Sequence, residues 1–295
     1  MKVLLAGASG LIGTALHERL RADHMCRTLS RAPMAAAVPG YYSWTGKPGS
    51  VPPGAVEWAD AVISLNGASL GHVPWTSAYR RQIMASRIDA TAAIAQAIAE
   101  SSHPPAVWLS ASAVGYYGDR GDESLTEGSP AGSGFLAEVT KVWEQTALPA
   151  GDKTRLVTLR TGLVISAQGA LKPLFLATRL GVGASVGGGR AWWPWVSLDD
   201  EIGGIVHALE DETIGGPVNI VGPAPARSGE ITATLARLMR RPYLLRLPKA
   251  VLRATLGQAA DELLLASQRV VPAKLTAAGY AFRHPTVADA IAAAI

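Results

Sequence analysis

The first half of the chain alternates short apolar runs with stretches of helical periodicity. Apolar runs near 2–6, 25–29, 60–65, 106–111 and 155–160 read as buried strands. Between them, 11–22, 76–100 and 134–148 place apolar residues at helical spacing. The longest of these carries Ile83, Ile88, Ile94 and Ile98 and is stopped by Pro104-Pro105. Strand and helix in repeated alternation predict an α/β chain built on a doubly wound parallel sheet.

After Gly162 the pattern changes. LKPLFLATRL is expected to be helical and GVGASVGGGR a glycine-rich loop. WWPWVSLDDEIGGIVHALED reads as a short strand and a helix capped by Asp199 or Asp200, and PVNIVG as a further strand. From about Ser228 the chain reads as mainly helical, broken by Pro242, Pro248, Pro272 and Pro285. The expected division is a first unit over 1–166, to which elements near 192–221 return. A smaller, mainly helical unit interleaves with it over 167–295, its last segment spanning about 245–295.

Composition narrows the classes. Hydrophobic residues make up 48% and charged residues 17%, which excludes bulk disorder. The net charge of +4 comes with no Lys/Arg cluster interleaved with aromatics, so no nucleic-acid partner is expected. A mildly basic surface suits a phosphate-bearing small ligand. Cys26 is the one cysteine, so no disulfide forms within the chain. His17, Glu18 and Arg19 interrupt the apolar amino terminus too early for a secretory signal, and no run of 18 apolar residues occurs. A cytoplasmic chain with no membrane partner is expected.

The strongest motif is Gly7, Gly10 and Gly13, a G-x-x-G-x-x-G that leaves the first strand and opens the first helix. The first glycine permits the tight turn, the second the approach of backbone N–H groups to a pyrophosphate, and the third close helix–strand packing. The helix N-terminus adds free donors and partial positive charge. At the end of the second strand, where an NAD site carries an acid for the ribose 2′-OH, stand Ser30 and Arg31. A hydroxyl and a guanidinium there suit a 2′-phosphate, so the expected cofactor is NADP(H).

GASGLIG, LSR, ADAVISLNGAS, SRIDAT, SASAVGYYGD, GFLAEVTKVWE, LRTGLVI and GGGRAWWPWVSLDD follow one another in a fixed order. In this ordered set the chain resembles the extended and atypical short-chain dehydrogenase/reductases, the epimerase-like group within the NAD-dependent epimerase/dehydratase superfamily. Its tail, RPYLLRLPKAVLRATLG through LTAAGYAFRHP, resembles the domain of unknown function that ends those proteins. The resemblance implies a Rossmann-type NADP(H) domain with a small C-terminal domain closing over a substrate cleft. It places Ser9, Leu11 and Ile12 of the glycine loop, Leu65, Asn66 and Gly67 after the third apolar run, and Ser110 along the cofactor. The implied partner is a small sugar-like or carbonyl substrate, and the fold suggests a homodimer.

Relatives of this kind pair a serine with Tyr-x-x-x-Lys, whose tyrosinate acts as base. Ser112 matches the serine and Lys141 the lysine, but Ala137 stands where the tyrosine belongs. Tyr116 and Tyr117 are the candidate substitutes; Tyr117-Gly118 resembles the Tyr-Gly of epimerases. Arg87, where extended members usually carry Asn, and Trp195 are candidate substrate contacts, and Arg160 and Arg190 are possible anion anchors. The six histidines show no metal-ligand spacing and no G-x-S-x-G elbow occurs, so neither a metal site nor hydrolase chemistry is expected. Two functions fit: an NADP(H)-dependent oxidoreductase or epimerase-like enzyme with an atypical site, or a non-catalytic NADP(H)-binding sensor or partner-binding protein.

Overall fold

A computed structural model describes residues 1–32 and 37–295. Its main sheet has seven strands: β1 (Lys2–Ala6), β2 (Met25–Ser30), β3 (Tyr41–Ser43), β4 (Ala61–Ser64), β5 (Val107–Ala113), β6 (Arg155–Thr161) and β7 (Gly216–Ile220). They lie in the order β7–β6–β5–β4–β1–β2–β3, every neighbouring pair parallel. In β1, Val3 and Leu5 join the core beneath α1 (Leu11–Leu20) and α5 (Leu198–Glu210). Leu4 and Ala6 join the opposite core, beneath α2 (Ser77–Glu100). Both faces of the strand are therefore covered, which is why VLLA, residues 3–6, is apolar without alternation. This is a Rossmann-like α/β fold.

The helix α2 starts at Thr76, whose hydroxyl accepts from Tyr79 N–H, and packs beside α3 (Phe135–Ala147). The polypeptide beyond β6 adds α4 (Lys172–Arg179), α6 (Ser228–Leu238), α7 (Lys249–Leu256) and a final helix, Val287–Ala294. These enclose a third core around Phe175, Trp193, Trp195, Leu235 and Ile291. No described helix is long and apolar enough to cross a membrane.

Two expectations need correction. Part of the glycine-rich stretch expected as a loop is a strand, Gly183–Val186, paired in parallel with Tyr243–Leu247 in the region expected to be helical. The partners are far apart in sequence, so no local pattern announces the pairing. The α5 cap is Ser197, not Asp199 or Asp200: its Oγ accepts from Asp200 N–H at 2.9 Å. The Asp200 carboxylate is buried and holds the C-terminal segment, accepting from the N–H groups of Arg283 (2.7 Å) and His284 (2.9 Å).

Candidate functional site

The glycine loop lies at the carboxyl end of β1, where open α/β sheets bind ligands. Gly7 has φ +89°, and a Cβ there would lie 2.8 Å from the carbonyl carbon of Leu65. A Cβ on Gly13 would lie 2.1 Å from the Gly7 oxygen, so only glycine lets α1 pack this tightly. Gly10 meets no such obstacle, its nearest neighbour being 3.7 Å away. No side chain caps α1 and no acid stands in its first turn, which leaves that turn open to an anion. Ser9 and Gly10 are exposed there, with Leu11 and Ile12 partly so. Across the loop, Leu65 and Asn66 are half-buried and Gly67 is exposed. Among the described residues the Asn66 Oδ1 is a buried acceptor without a hydrogen-bond partner.

Ser110, expected along the cofactor, is 1% exposed and set within the sheet opposite Ser64.

Beyond the ends of β2 and β3 lies a cavity of about 260 Å³ lined by Arg31, Trp44, Gly46, Lys47, Asn66 and Asp89 among others. Arg31 and Lys47 are exposed, and Ser30 is half-buried with its Oγ accepting from Ala32 N–H at 3.1 Å. Lys47 was not expected from the sequence; the signal available was TGK directly after the short run YYSW. Two cations, a hydroxyl, a glycine cradle and an amide acceptor unpartnered among the described residues fit a dinucleotide carrying a 2′-phosphate.

The expected proton-transfer residues are dispersed. Ser112 is buried and donates to Glu144 Oε1 at 2.6 Å. Glu144 also receives Arg160 Nε and Nη2, each at 2.8 Å, in a bidentate pair. Arg160 Nη1 in turn donates to the Tyr117 hydroxyl at 3.0 Å, which donates to Asn219 Oδ1 at 2.6 Å. Tyr117 is fully buried, and burial pushes its phenol up despite the nearby Arg160 charge. Ser112, Tyr117 and Arg160 thus belong to one buried network joining β5, β6, β7 and α3.

Lys141 stands off the buried face of α3. The face that α3 buries runs through Leu136, Ala137, Thr140, Trp143 and Ala147. Lys141 lies outside it, 47% exposed, with Nζ 3.6 Å from Glu138 Oε2. Tyr116 stacks on Arg160, whose Cζ is 3.5 Å from its ring centroid, and among the described residues its hydroxyl has no hydrogen-bond partner. Trp195 is core: it is 1% exposed, its indole donates to the Ala224 carbonyl at 2.8 Å, and its ring fills the space a Cβ on Gly222 would take. Arg190 is exposed.

A second cavity, about 200 Å³, opens where β5 leads into α3. Gly115, Ser133 and Leu136 form one wall; Lys249, Arg253, Glu262 and Gln268 of the C-terminal segment form the other. Glu262 caps α3 across this gap, accepting from the N–H groups of Phe135 (2.7 Å) and Leu136 (3.2 Å). A carboxylate there satisfies the free donors of the helix start. Among the described residues no cluster of metal-ligating side chains occurs.

Residues 3–221 match the NAD dependent epimerase/dehydratase family, and residues 247–294 match a domain of unknown function, DUF1731. The epimerase family protein ML0860 of Mycobacterium leprae is 38% identical over 296 residues, covering 98% of this chain and 94% of that protein. The epimerase family protein SDR39U1 of Mus musculus is 33% identical over 297 residues, covering 99% and 98%. The crystal structure of human epimerase family protein SDR39U1 (isoform2) with NADPH aligns with a TM-score of 0.91 at 31% identity, covering 100% of this chain and 99% of that one.

Proposed function

We propose that this chain, which belongs to the NAD dependent epimerase/dehydratase family, binds NADP(H) and acts as an oxidoreductase or epimerase-like enzyme on a small polar molecule. The observation that carries this reading is the union of a sterically enforced glycine cradle with Arg31 and Lys47 at its adenosine end. The similarity to a human relative crystallised with NADPH supports it.

When bound, the nicotinamide supplies a site that gives or takes a hydride. The residues of the chain bind and orient. The first turn of α1 receives the pyrophosphate, and Ser30, Arg31 and Lys47 receive the 2′-phosphate. The cavity between α3 and the C-terminal segment receives the substrate, a sugar-like or carbonyl compound whose polar groups meet Lys249, Arg253 and Gln268. Ser112, Tyr117 and Lys141 take no part in proton transfer. Of the four residues expected to do so, Tyr116 alone keeps an uncommitted hydroxyl, and it is the phenol proposed for that step.

The test is a screen of the purified chain with NADPH against carbonyl compounds, quinones and nucleotide sugars. Turnover that survives Ser112→Ala and Lys141→Ala but falls in Tyr116→Phe, with NADPH affinity intact, agrees with this reading. A second reading, a cofactor-binding sensor, is favoured by Ala137 and by the internal commitment of Ser112. It predicts tight NADPH binding with no oxidation of the cofactor by any acceptor.

A further inference from the structure

The strand Tyr243–Leu247 pairs with Gly183–Val186, against which α4 and α6 pack. Around this pair several large apolar side chains stand in water. Leu244 is 85% exposed and Leu180 71%, and Leu176, Val182, Leu245 and Val251 are exposed as well. Leu176 and Leu180 lie one turn apart at the end of α4, and Val182 leads directly into the strand Gly183–Val186. Gly183 is paired with Tyr243, so Val182 and Leu244 flank the same rung of the ladder. A gathering of apolar side chains left in water marks an interaction surface.

The same face is strongly basic. From Ile231 to Ala260 the chain carries Arg237, Arg240, Arg241, Arg246, Lys249 and Arg253 and no Asp or Glu. The helix α4 adds Lys172 and Arg179, again with no acid. Arg253 pairs with Asp261, but among the described residues no carboxylate pairs with the other cations of this face. Arginines elsewhere have settled places: Arg160 is clamped by Glu144, and Arg87 is half-buried with Cζ 5.1 Å from the Trp143 ring centroid. Arg240 adds a backbone observation. It follows the end of α6 at φ +53°, in the left-handed turn where helix ends usually place glycine. A side chain there is strained relative to glycine, and the chain accepts it at the corner where α6 turns into the basic strand.

Backbone pairing is not what this edge offers. The register passes from Tyr243 opposite Gly183 to Leu245 opposite Ala184, so Leu244 is bulged from the ladder. Pro242, just before the strand, has no N–H. A proline and a bulge blunt a strand edge against the addition of another strand. A second copy of the chain would set these arginines against their own equivalents, and a bare polyanion would leave the leucines in water. We propose that the face docks on an anionic lipid surface. Arg240, Arg241 and Arg246 take headgroup phosphates, while Leu180, Val182, Leu244 and Leu245 enter the boundary between headgroups and acyl chains. No described helix is long and apolar enough to cross a membrane, so the contact meant is a peripheral one.

Flotation with vesicles of phosphatidylcholine, and of phosphatidylcholine with phosphatidylglycerol at about two to one, tests this. The native chain should float with the anionic vesicles and not with phosphatidylcholine alone, and should be released as salt rises. Leu180→Ser/Leu244→Ser and Arg240→Gly/Arg246→Ser should each weaken that binding about tenfold or more. Both variants should melt close to the native chain, because the side chains removed are already in water. A native chain that ignores the anionic vesicles would overturn the proposal. Vesicle binding that survives the leucine pair would overturn it equally, and matching affinity for double-stranded DNA would then assign the face to polyanions. A dimer in sedimentation equilibrium that the leucine pair dissolves, with no vesicle binding, would assign the face to a second copy. Should the leucine pair melt well below the native chain, the arginine pair decides alone, and vesicle binding that it leaves unchanged overturns the proposal.

Discussion

Ser112 donates its hydroxyl to Glu144 at 2.6 Å, and Glu144 is the carboxylate that clamps Arg160. A serine held in this way supports the packing of β5, β6 and α3. Ser112→Ala should therefore leave NADPH affinity unchanged. It should lower unfolding stability by about 1.5–3 kcal/mol, the usual consequence of removing a buried hydrogen bond to a charged group. Parallel denaturant unfolding and NADPH titration check both halves.

Tyr117 occupies the other end of the same network. Tyr117→Phe removes the donor to Asn219 Oδ1 and the acceptor for Arg160 Nη1 at a fully buried site. A loss of roughly 1–3 kcal/mol is expected, because buried polar groups are left without partners. Tyr116→Phe, whose hydroxyl holds nothing in place, should melt close to the native chain. A melting difference between these two neighbouring phenols is the direct readout.

The features legible in the sequence are those carried by adjacent residues. The glycine loop, α2 with its proline stop, and Ser30-Arg31 at the end of β2 are each read from one contiguous stretch of chain. What was missed depends on partners distant in sequence. Ser112 looks like a catalytic serine until Glu144, from another element and itself clamped by Arg160, claims its hydroxyl. Trp195 looks like a cleft aromatic until Gly222 makes room for its ring in the core. Lys47 joins Arg31 only because β3 pairs with β2, and β3 is three residues long. Lys141 keeps the spacing of a motif, but the packing of α3 turns it outward.

Glu201 gives a pH signature. It is fully buried, and burial pushes its carboxyl up to about 8, opposed by the hydrogen bond from Thr161 at 2.8 Å. Its folded value lies above the unfolded one, so the folded state binds more protons between roughly pH 4.5 and pH 8. The stability contributed by protonated Glu201 is therefore complete at the acid end of that window and is lost as pH rises through it. Glu201→Gln should flatten this decline and raise the melting temperature at pH 8 relative to the native chain. Thermal unfolding across pH 5–9, on the order of the window set by linkage, checks it; an identical decline in the variant would contradict the assignment.

The most direct test of the account is the discrimination between NADPH and NADH by the native chain and by Arg31→Met/Lys47→Met. Charge-assisted contacts to a 2′-phosphate should make the native chain prefer NADPH by about tenfold or more. The double substitution should remove that preference by weakening NADPH while leaving NADH affinity near its native value. Equal binding of the two cofactors by the native chain, or an NADPH preference that survives the double substitution, would contradict the account.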